Sequence, residues 1–130
     1  ELVEKLQVLR NQGTTVVLTA HAKAQRFSNP TGDDYDTWFP DCYRETWGPI
    51  AKWVSNILFL TLDITTEKSK TDLLAKTKGF GEDRVMHTCP NAAIEAKNRY
   101  GLPNEIQMGG SGKEAYDNLV ASIKGAKDAK

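Results

Sequence analysis

The sequence has 130 residues, of which 39% are hydrophobic and 26% are charged, a composition typical of one small soluble domain. Its 17 basic and 17 acidic residues cancel to a formal charge of zero, which argues against a strongly basic protein that binds nucleic acid through bulk electrostatics. No apolar run approaches the roughly 18 residues of a membrane-spanning helix, and no signal peptide opens the chain. We therefore expect a cytoplasmic protein without membrane contact.

The first third of the chain predicts a helix, a strand and a long loop. Leucines recur at helical spacing up to Gly13, which predicts an amphipathic helix over residues 1–12. The segment TTVVLTAH, residues 14–21, is β-branched and apolar in its middle, as in a strand buried on both faces of a parallel sheet. Residues 22–41 are rich in Asp, Pro and aromatic residues, which predicts a long loop at the strand end where α/β sheets bind ligands.

The rest of the chain predicts alternating elements. Gly48-Pro49 is expected to break or start a helix, and Gly79 and Gly81 are expected to mark a turn. After Pro103, a strand is expected to return as a hairpin. The predicted elements are a helix within residues 42–56, a buried strand over 56–64, a strand, turn and strand within 65–90 whose return strand is DRVMHT (83–88), a strand over 93–99 with a partner at 104–108, and an amphipathic helix within 111–127.

Lys97 and Arg99 stand two residues apart, with Asn98 between them, just before a Tyr-Gly-Leu-Pro turn. Residues at positions i and i+2 of a strand point to the same side. Because two like charges side by side repel, the arrangement predicts a nearby anion. From the residues alone, that anion is either a phosphate or a carboxylate of the same fold, with Glu95 and Glu105 as the candidates.

The stretch GGSGKE, residues 109–114, has two interpretations. A phosphate loop needs the pattern G-x-x-x-x-G-K-[ST], and here Gln107 and Glu114 occupy two of its defining positions. A capping box needs Ser or Thr followed three residues later by Glu or Gln, which Ser111 and Glu114 satisfy. The capping box, at the start of a helix, is the better prediction.

Other candidate residues remain open from the sequence alone. His21 ends the predicted buried strand and is either structural or part of a site. The aromatic residues of 22–41 suit stacking on bases, and Lys23 and Arg26 favour such binding, whereas the acidic residues of the segment favour an ordinary loop. The two cysteines and two histidines match no metal-ligand spacing, so we expect no metal site within the chain.

The order of these elements resembles the C-terminal half of a RecA-type ATPase core. More closely, it resembles the phage-encoded, RecA-like ATP-binding proteins of single-strand annealing and recombination. The segments that carry the resemblance are TTVVLTAHAK (14–23), GDDYDTW (32–38), WVSNILFL (53–60) and AKNRYGLPNEIQM (96–108). The resemblance implies an α/β fold over residues 1–130, namely a partial RecA-like P-loop NTPase core with parallel strands, helices and a C-terminal β-hairpin region.

The resemblance also implies functional roles. It assigns catalytic roles to His21, as a sensor of the γ-phosphate, and to Lys97 and Arg99, as a clamp on the ATP of a neighbouring subunit. It places Met108, Gly109 and Gly110 near the adenine, and Lys23, Arg26 and Phe27 in a loop that binds single-stranded DNA. It implies ATP and Mg²⁺ as cofactors and a homo-oligomer as the assembly.

The phosphate loop and the Mg²⁺ ligands of such a core would lie in an N-terminal half that precedes Glu1. The chain alone is therefore expected to be inactive. Two alternatives remain: part of a replicative-helicase-like ATPase, or a non-catalytic α/β interaction module.

Overall fold

The computed structural model of the chain describes residues 1–62, 65–67, 78–80 and 83–129. Within these ranges the helices are α1 (Leu2–Asn11), α2 (Arg44–Trp53) and α3 (Gly112–Asp128). The strands there are β1 (Ala22–Phe27), β2 (Tyr35–Pro40), β3 (Asn56–Ile57), β4 (Phe59–Leu62), β5 (Thr65–Glu67), β6 (Lys78–Phe80), β7 (Arg84–His87), β8 (Lys97–Asn98) and β9 (Glu105–Gln107). Among the described residues, none of these helices combines the length and the apolar character that crossing a membrane requires.

The architecture is mixed α/β, and its core lies between α3 and a sheet of three strands. The strands β4, β7 and β9 form this sheet in that order, all antiparallel. Met86 and Ile106 are cross-strand partners and are buried together with Leu102. The α3 side chains Leu119 and Ile123 pack against them. Burying one such side chain contributes about 1.5–3 kcal/mol, so this cluster holds α3 on the sheet.

The helix α3 begins where the capping box predicts. Ser111 Oγ accepts a hydrogen bond from the backbone N–H of Glu114 at 3.2 Å. The carboxylate of Glu114 reaches back and accepts from the backbone N–H of Gly110 at 3.0 Å. These bonds satisfy N–H groups that a helix start leaves without partners, so the GGSGKE stretch serves to start a helix.

Residues 22–41 form a hairpin, and the prediction of a long loop is wrong. The strands β1 and β2 pair antiparallel over their full length. At the turn, Asn29 Oδ1 accepts from the N–H of Thr31 at 3.1 Å, and Asp34 Oδ1 accepts from the N–H of Asn29 at 3.1 Å. Pro30, Gly32, Asp33 and Asp34 belong to this turn. In β2, half-buried and exposed residues alternate from Tyr35 to Phe39, as expected for a strand with one covered face.

The hairpin is attached to the rest of the molecule at Trp38. The N–H of Trp38 donates to the carbonyl of Ala93 at 2.7 Å, and its carbonyl accepts from the N–H of Glu95 at 3.4 Å. The Trp38 ring lies 6.0 Å from the ring of Phe59 in β4. Trp38 and Ile94 thereby form an isolated parallel bridge. Within the described part of the chain, parallel pairing is limited to this bridge.

The predicted strand over residues 14–21 is wrong. This segment pairs with no strand among the described residues, and Val17 is 76% exposed. A strand buried on both faces needs neighbouring strands and a cover on each face, and the described ranges place none of these against it. The parallel core that this strand was expected to join is therefore not observed, since all strand pairs in the described ranges are antiparallel.

The predicted helices over residues 1–12 and within 42–56 are confirmed as α1 and α2. The break expected at Gly48-Pro49 is wrong, because α2 continues through Pro49. A proline inside a helix removes one N–H donor. Only about one further turn follows Pro49, and carbonyl groups of that turn accept hydrogen bonds from Lys97 of β8 and from Arg99, which follows β8.

The predicted strand over residues 56–64 is divided into two. Its first part, β3, pairs with β8, and its second part, β4, pairs with β7; residues 63–64 lie outside the described residues. The predicted return strand at residues 83–88 is confirmed as β7. Gly79 lies within β6 rather than in a turn, because its segment pairs with β5, and Gly81 lies outside the described residues.

The predicted pairing of residues 93–99 with 104–108 is wrong. The strand β9 pairs with β7 instead, which carries Ile106 into the core beside Met86. The strand β8 is two residues long and pairs with β3. Pairing with β7 buries Ile106 in the core. The stabilisation from this burial exceeds the advantage of the short connection through Pro103, so the local hairpin does not form.

Candidate functional site

Lys97 and Arg99 both reach the carboxyl end of α2. Lys97 Nζ donates to the carbonyl oxygens of Ala51 at 2.6 Å and of Lys52 at 3.2 Å. Arg99 Nη2 donates to the carbonyl oxygen of Lys52 at 3.4 Å. The last carbonyl groups of a helix lack partners within the helix and carry the negative end of its dipole. Among the described residues, this helix end accepts the side-chain hydrogen bonds of both cations.

The predicted alternative, a surface ion pair with Glu95 or Glu105, is not formed. Glu95 Oε1 accepts from the indole Nε1 of Trp47 at 2.9 Å. Glu105 Oε1 lies 3.3 Å from Nδ1 of His87. In the ranges that the structure describes, no carboxylate lies within ion-pair distance of Lys97 or Arg99.

The environment of Lys97 changes its protonation equilibrium. Burial disfavours the charged ammonium and lowers the pKa of Lys97, and the positive charge of Arg99 lowers this pKa further. The carbonyl oxygens of α2 accept the hydrogen bonds of the ammonium without supplying a full negative charge. Among the described residues, no carboxylate therefore balances the positive charges of Lys97 and Arg99.

The side chain of Asn98 closes the turn that follows the two cations. Its Nδ2 donates to the carbonyl of Leu102 at 2.8 Å, and its Oδ1 accepts from the N–H of Leu102 at 2.9 Å. Gly101 within this turn has a φ of 73°, which favours glycine. Sequence reasoning missed Asn98, although an asparagine three residues before a turn glycine is a recognisable turn signal.

His21 lies apart from the two cations. It is exposed and precedes β1, and its backbone carbonyl accepts from the N–H of Asp41 at 2.7 Å. Within the described ranges, no hydrogen bond joins His21 to Lys97 or Arg99. The structure therefore brings Lys97 and Arg99 together at one point and leaves His21 beside the hairpin.

Lys23 lies on β1, whose six residues are all exposed. Its Nζ is 2.6 Å from Oδ1 of Asp41. This hydrogen bond, together with the opposite charge of Asp41, raises the pKa of Lys23. The same contact lowers the pKa of Asp41. Lys23 is thus already paired with an anion of its own hairpin.

Arg26 and Phe27 also have partners within the hairpin. Arg26 Nη1 lies 3.7 Å from Oδ1 of Asp36, and Arg26 Nε lies 4.0 Å from Oδ2 of Asp34. The ring of Phe27 lies 5.1 Å from that of Tyr35. The acidic residues of the hairpin therefore neutralise the cations that the resemblance assigns to nucleic acid.

The segment assigned to the adenine is engaged with the protein itself. Met108 packs against the core cluster. Gly109 has a φ of 66°, and a Cβ at this position would collide with the carboxylate of Glu114. Because Glu114 also accepts the N–H of Gly110, the glycines of this loop surround an anionic side chain of the same chain.

The described residues do not fit a complete site for ATP and Mg²⁺. They contain no cluster of three or more His, Cys, Asp or Glu side chains that could hold a metal ion. The loop that most resembles a phosphate loop is filled by Glu114. What the described residues offer to an anionic nucleotide is the pair of cations at the end of α2.

Comparison with known proteins supports one family. A family model described as an AAA domain matches residues 1–100. This range includes His21, Lys97 and Arg99, and it ends before the Met108 segment. Comparison with curated proteins and with solved structures gives no match.

Proposed function

This chain belongs to the AAA domain family of P-loop ATPases, and from that membership we propose that its Arg99 contacts the phosphates of an ATP bound by a neighbouring subunit. The observation that carries the proposal is the contrast between two cations. Lys97 is half-buried and donates twice to α2, whereas Arg99 is exposed and donates to α2 at 3.4 Å. A guanidinium has five N–H donors, so Arg99 retains donors for an anion outside its subunit.

The chemistry of this role is stabilisation of negative charge. An arginine that contacts the transferring phosphoryl group from a neighbouring subunit is worth about 10³–10⁵ in rate in related systems. In this proposal, Lys97 anchors the clamp to α2 and adds positive charge beside Arg99. The helix end is a weak partner for a cation compared with a phosphate, because it carries only about half an elementary charge.

The remaining parts of the site are proposed to lie outside these 130 residues. The sequence contains no G-x-x-x-x-G-K-[ST] pattern, which is the pattern that cradles phosphates and supplies a hydroxyl to Mg²⁺. We propose that a preceding segment supplies the phosphate loop and the Mg²⁺ ligands, and any parallel strands of a RecA-like core. His21 is proposed to sense the γ-phosphate, and the segment of Met108, Gly109 and Gly110 is proposed to lie near the adenine, which the exposure of Gly110 supports.

The finer function that we propose is recombination or single-strand annealing by a RecA-like homo-oligomer. The homo-oligomer follows from the proposed clamp, because a clamp acting between subunits requires an oligomer. The nucleic-acid contact is proposed at Lys23, Arg26 and Phe27, and the exposure of Phe27 (44%) on an exposed strand supports it. The ion pairs of Lys23 and Arg26 with carboxylates of the hairpin must open before phosphates bind there.

The test is ATP hydrolysis by the full-length protein carrying Arg99→Ala. We expect a loss of about 10³–10⁵-fold with the fold unchanged, as judged by circular dichroism. The matched control is Arg44→Ala, which removes an exposed arginine from the opposite end of α2. A loss below about tenfold for Arg99→Ala, or an equal loss for Arg44→Ala, would refute the clamp.

A second arm tests whether the clamp acts between subunits. Arg99→Ala protein is mixed with a variant defective in the phosphate loop, because each retains the half-site that the other lacks. Partial recovery of hydrolysis indicates action on a neighbour, and no recovery indicates action within one subunit. A full-length sequence without a phosphate loop, together with no hydrolysis, would favour the alternative of a non-catalytic interaction module.

A further inference from the structure

Asn98 is the residue through which the Lys97–Arg99 segment is fixed to the core. Both ends of its amide bond to the backbone of one residue, Leu102, and Leu102 is buried in the core cluster. The Nδ2 group also lies 3.3 Å from Oγ1 of Thr88. Thr88 is fully buried. The position of Asn98 is therefore set by the core, unlike that of an exposed side chain.

The orientation of Lys97 and the position of Arg99 follow from this attachment. Neighbouring residues of an extended strand point to opposite sides, so in β8 the inward position of Asn98 directs Lys97 to the other side, toward the end of α2. Arg99 directly follows the strand, and its side chain reaches the same helix end. A second bond acts on the backbone of Arg99, whose N–H donates to Oδ1 of Asn56 at 3.2 Å. Asn56 is the cross-strand partner of Asn98 in the β3–β8 pair. The side chain of Asn98 thus fixes residue 98 to the turn, and the side chain of Asn56 fixes the backbone N–H of Arg99.

We infer that Asn98, with Asn56, is a positioning residue that presents Arg99 to the nucleotide of the neighbouring subunit. This inference rests on the function proposed above. The chemistry at position 98 is specific to an amide, because Leu102 offers both an N–H and a carbonyl, so a donor and an acceptor are needed at once. A carboxylate there would accept from the N–H of Leu102 but would face its carbonyl without a proton to donate.

The experiment compares Asn98→Asp with Asn118→Asp in the full-length protein. Asn118 Nδ2 donates to the carbonyl of Gln107 at 2.8 Å, so the control also removes an amide donor from a backbone carbonyl, on α3 and apart from Arg99. For Asn98→Asp we expect kcat to fall by about 10²-fold, the size of effect that a misplacement of about 1 Å produces. KM should change little, because the lost interaction belongs to the transition state. Asn118→Asp should change neither constant.

A double-mutant cycle separates positioning from a purely structural role. If Asn98 acts through Arg99, Asn98→Asp should cost nothing further in an Arg99→Ala background. Equal losses in both backgrounds, or the same kcat for Asn98→Asp and Asn118→Asp, would overturn the inference while leaving the clamp intact. If Arg99→Ala itself retains activity, the proposed function fails instead.

A second variant decides the matter if Asn98→Asp does not fold. Asn56→Ala removes the acceptor of the Arg99 N–H without touching the turn to Leu102. A fall in kcat at unchanged KM supports the positioning role. Unchanged kcat in this variant overturns it.

Discussion

Lys97 Nζ lies 2.6 Å from the carbonyl oxygen of Ala51, a residue 46 positions earlier in the chain. This contact joins the end of α2 to β8. It explains the two cations on one short segment, because the carbonyl groups at the helix end accept hydrogen bonds from both. It also separates their roles, because Lys97 is occupied within the subunit and Arg99 is exposed. The predictions below test this arrangement and its surroundings.

Replacing Lys97 with methionine should destabilise the protein. The variant leaves the carbonyl oxygens of Ala51 and Lys52 without the hydrogen bonds that Lys97 donates, and the loss of one such bond costs about 0.5–1.5 kcal/mol. Urea denaturation at neutral pH measures the change in free energy of unfolding. The control is Lys52→Met, which removes an exposed cation from the last turn of the same helix and should change this free energy by less than about 0.5 kcal/mol.

The difference in free energy of unfolding between the wild type and Lys97→Met should also depend on pH, in a direction that the pKa of Lys97 determines. Burial lowers the pKa of Lys97 below its ordinary value of 10.5, so between the folded pKa and that value the unfolded chain binds more protons at this group than the folded protein. The stability of the wild type relative to Lys97→Met should therefore rise as the pH increases through this window. A relative stability that falls over that range would contradict the burial of the ammonium.

The ion pair of Lys23 with Asp41 should appear in the titration of the Asp41 carboxyl group. Lys23→Met should raise the pKa of Asp41, which the pairing lowers. In the wild type, the pair contributes stability above the unfolded pKa of Asp41, and this is lost as the pH falls through the folded pKa. Carbon-detected NMR of the carboxyl groups measures the shift. Arg26→Met, which removes a cation paired with other carboxylates, should leave the Asp41 titration unchanged.

The core between β7, β9 and α3 should be the most sensitive to truncation. Ile106→Ala should lower the free energy of unfolding by about 2–5 kcal/mol, because it leaves a cavity among buried side chains. Leu60 is the matched control, since it pairs across from Met86 in the same cross-strand row but is 53% exposed. We expect Leu60→Ala to cost less than about 1 kcal/mol, since little apolar area is lost. Equal costs in urea denaturation would contradict the assignment of the core.

Removal of the α3 cap should destabilise the helix by a smaller amount. Ser111→Ala should cost about 1 kcal/mol, because the N–H of Glu114 loses its acceptor. The control is Ser122→Ala, whose hydroxyl donates to the carbonyl of Asn118 within the helix. Alanine is the better helix former at that position, so this variant should be neutral or slightly stabilising. Thermal denaturation of the two variants side by side tests the difference.

The hairpin acids should suppress nucleic-acid binding. Neutralising them with Asp34→Asn and Asp36→Asn frees Arg26, and we expect tighter binding of a single-stranded oligonucleotide with a steeper dependence on salt. Fluorescence anisotropy at two salt concentrations measures both. Asp117→Asn removes a carboxylate that pairs with Lys113 on α3. If this control tightens binding to the same extent as one hairpin substitution, the effect is general charge and the proposed contact on β1 is wrong.

The parts of the fold that depend on local sequence could be predicted. The periodicity of apolar residues identified α1, α2 and α3, and the spacing of Ser111 and Glu114 identified the start of α3. The strand β7 was predicted as the return strand of the segment 65–90, and Val85 and Met86 are its buried residues. For the helices and the α3 cap, the pattern lies within a few residues of sequence, so the sequence itself contains the information.

The rest of the fold depends on contacts between distant segments. Residues 14–21 have the pattern of a buried strand, but a pattern does not supply the neighbouring strands that would bury it. The strand β9 has suitable partners both in 93–99 and in β7, and packing of Ile106 against the core decides between them. Lys97 and Arg99 stand out in the sequence as two like charges two residues apart. Their contact with the carbonyl groups of α2 could not be foreseen, because backbone acceptors have no signature in a sequence.

The attachment of the hairpin at Trp38 has a consequence for how the molecule opens. The β1–β2 hairpin is held to the body by two backbone hydrogen bonds and one aromatic contact at this residue, whereas β7 is paired on both sides. Amide hydrogens of β1 are therefore expected to exchange with solvent through a local opening that leaves the β4–β7–β9 sheet intact. Those of Val85 and Met86 should exchange only when the whole protein unfolds. We therefore expect the hairpin to open as a separate cooperative unit while the segment carrying Arg99 stays in place.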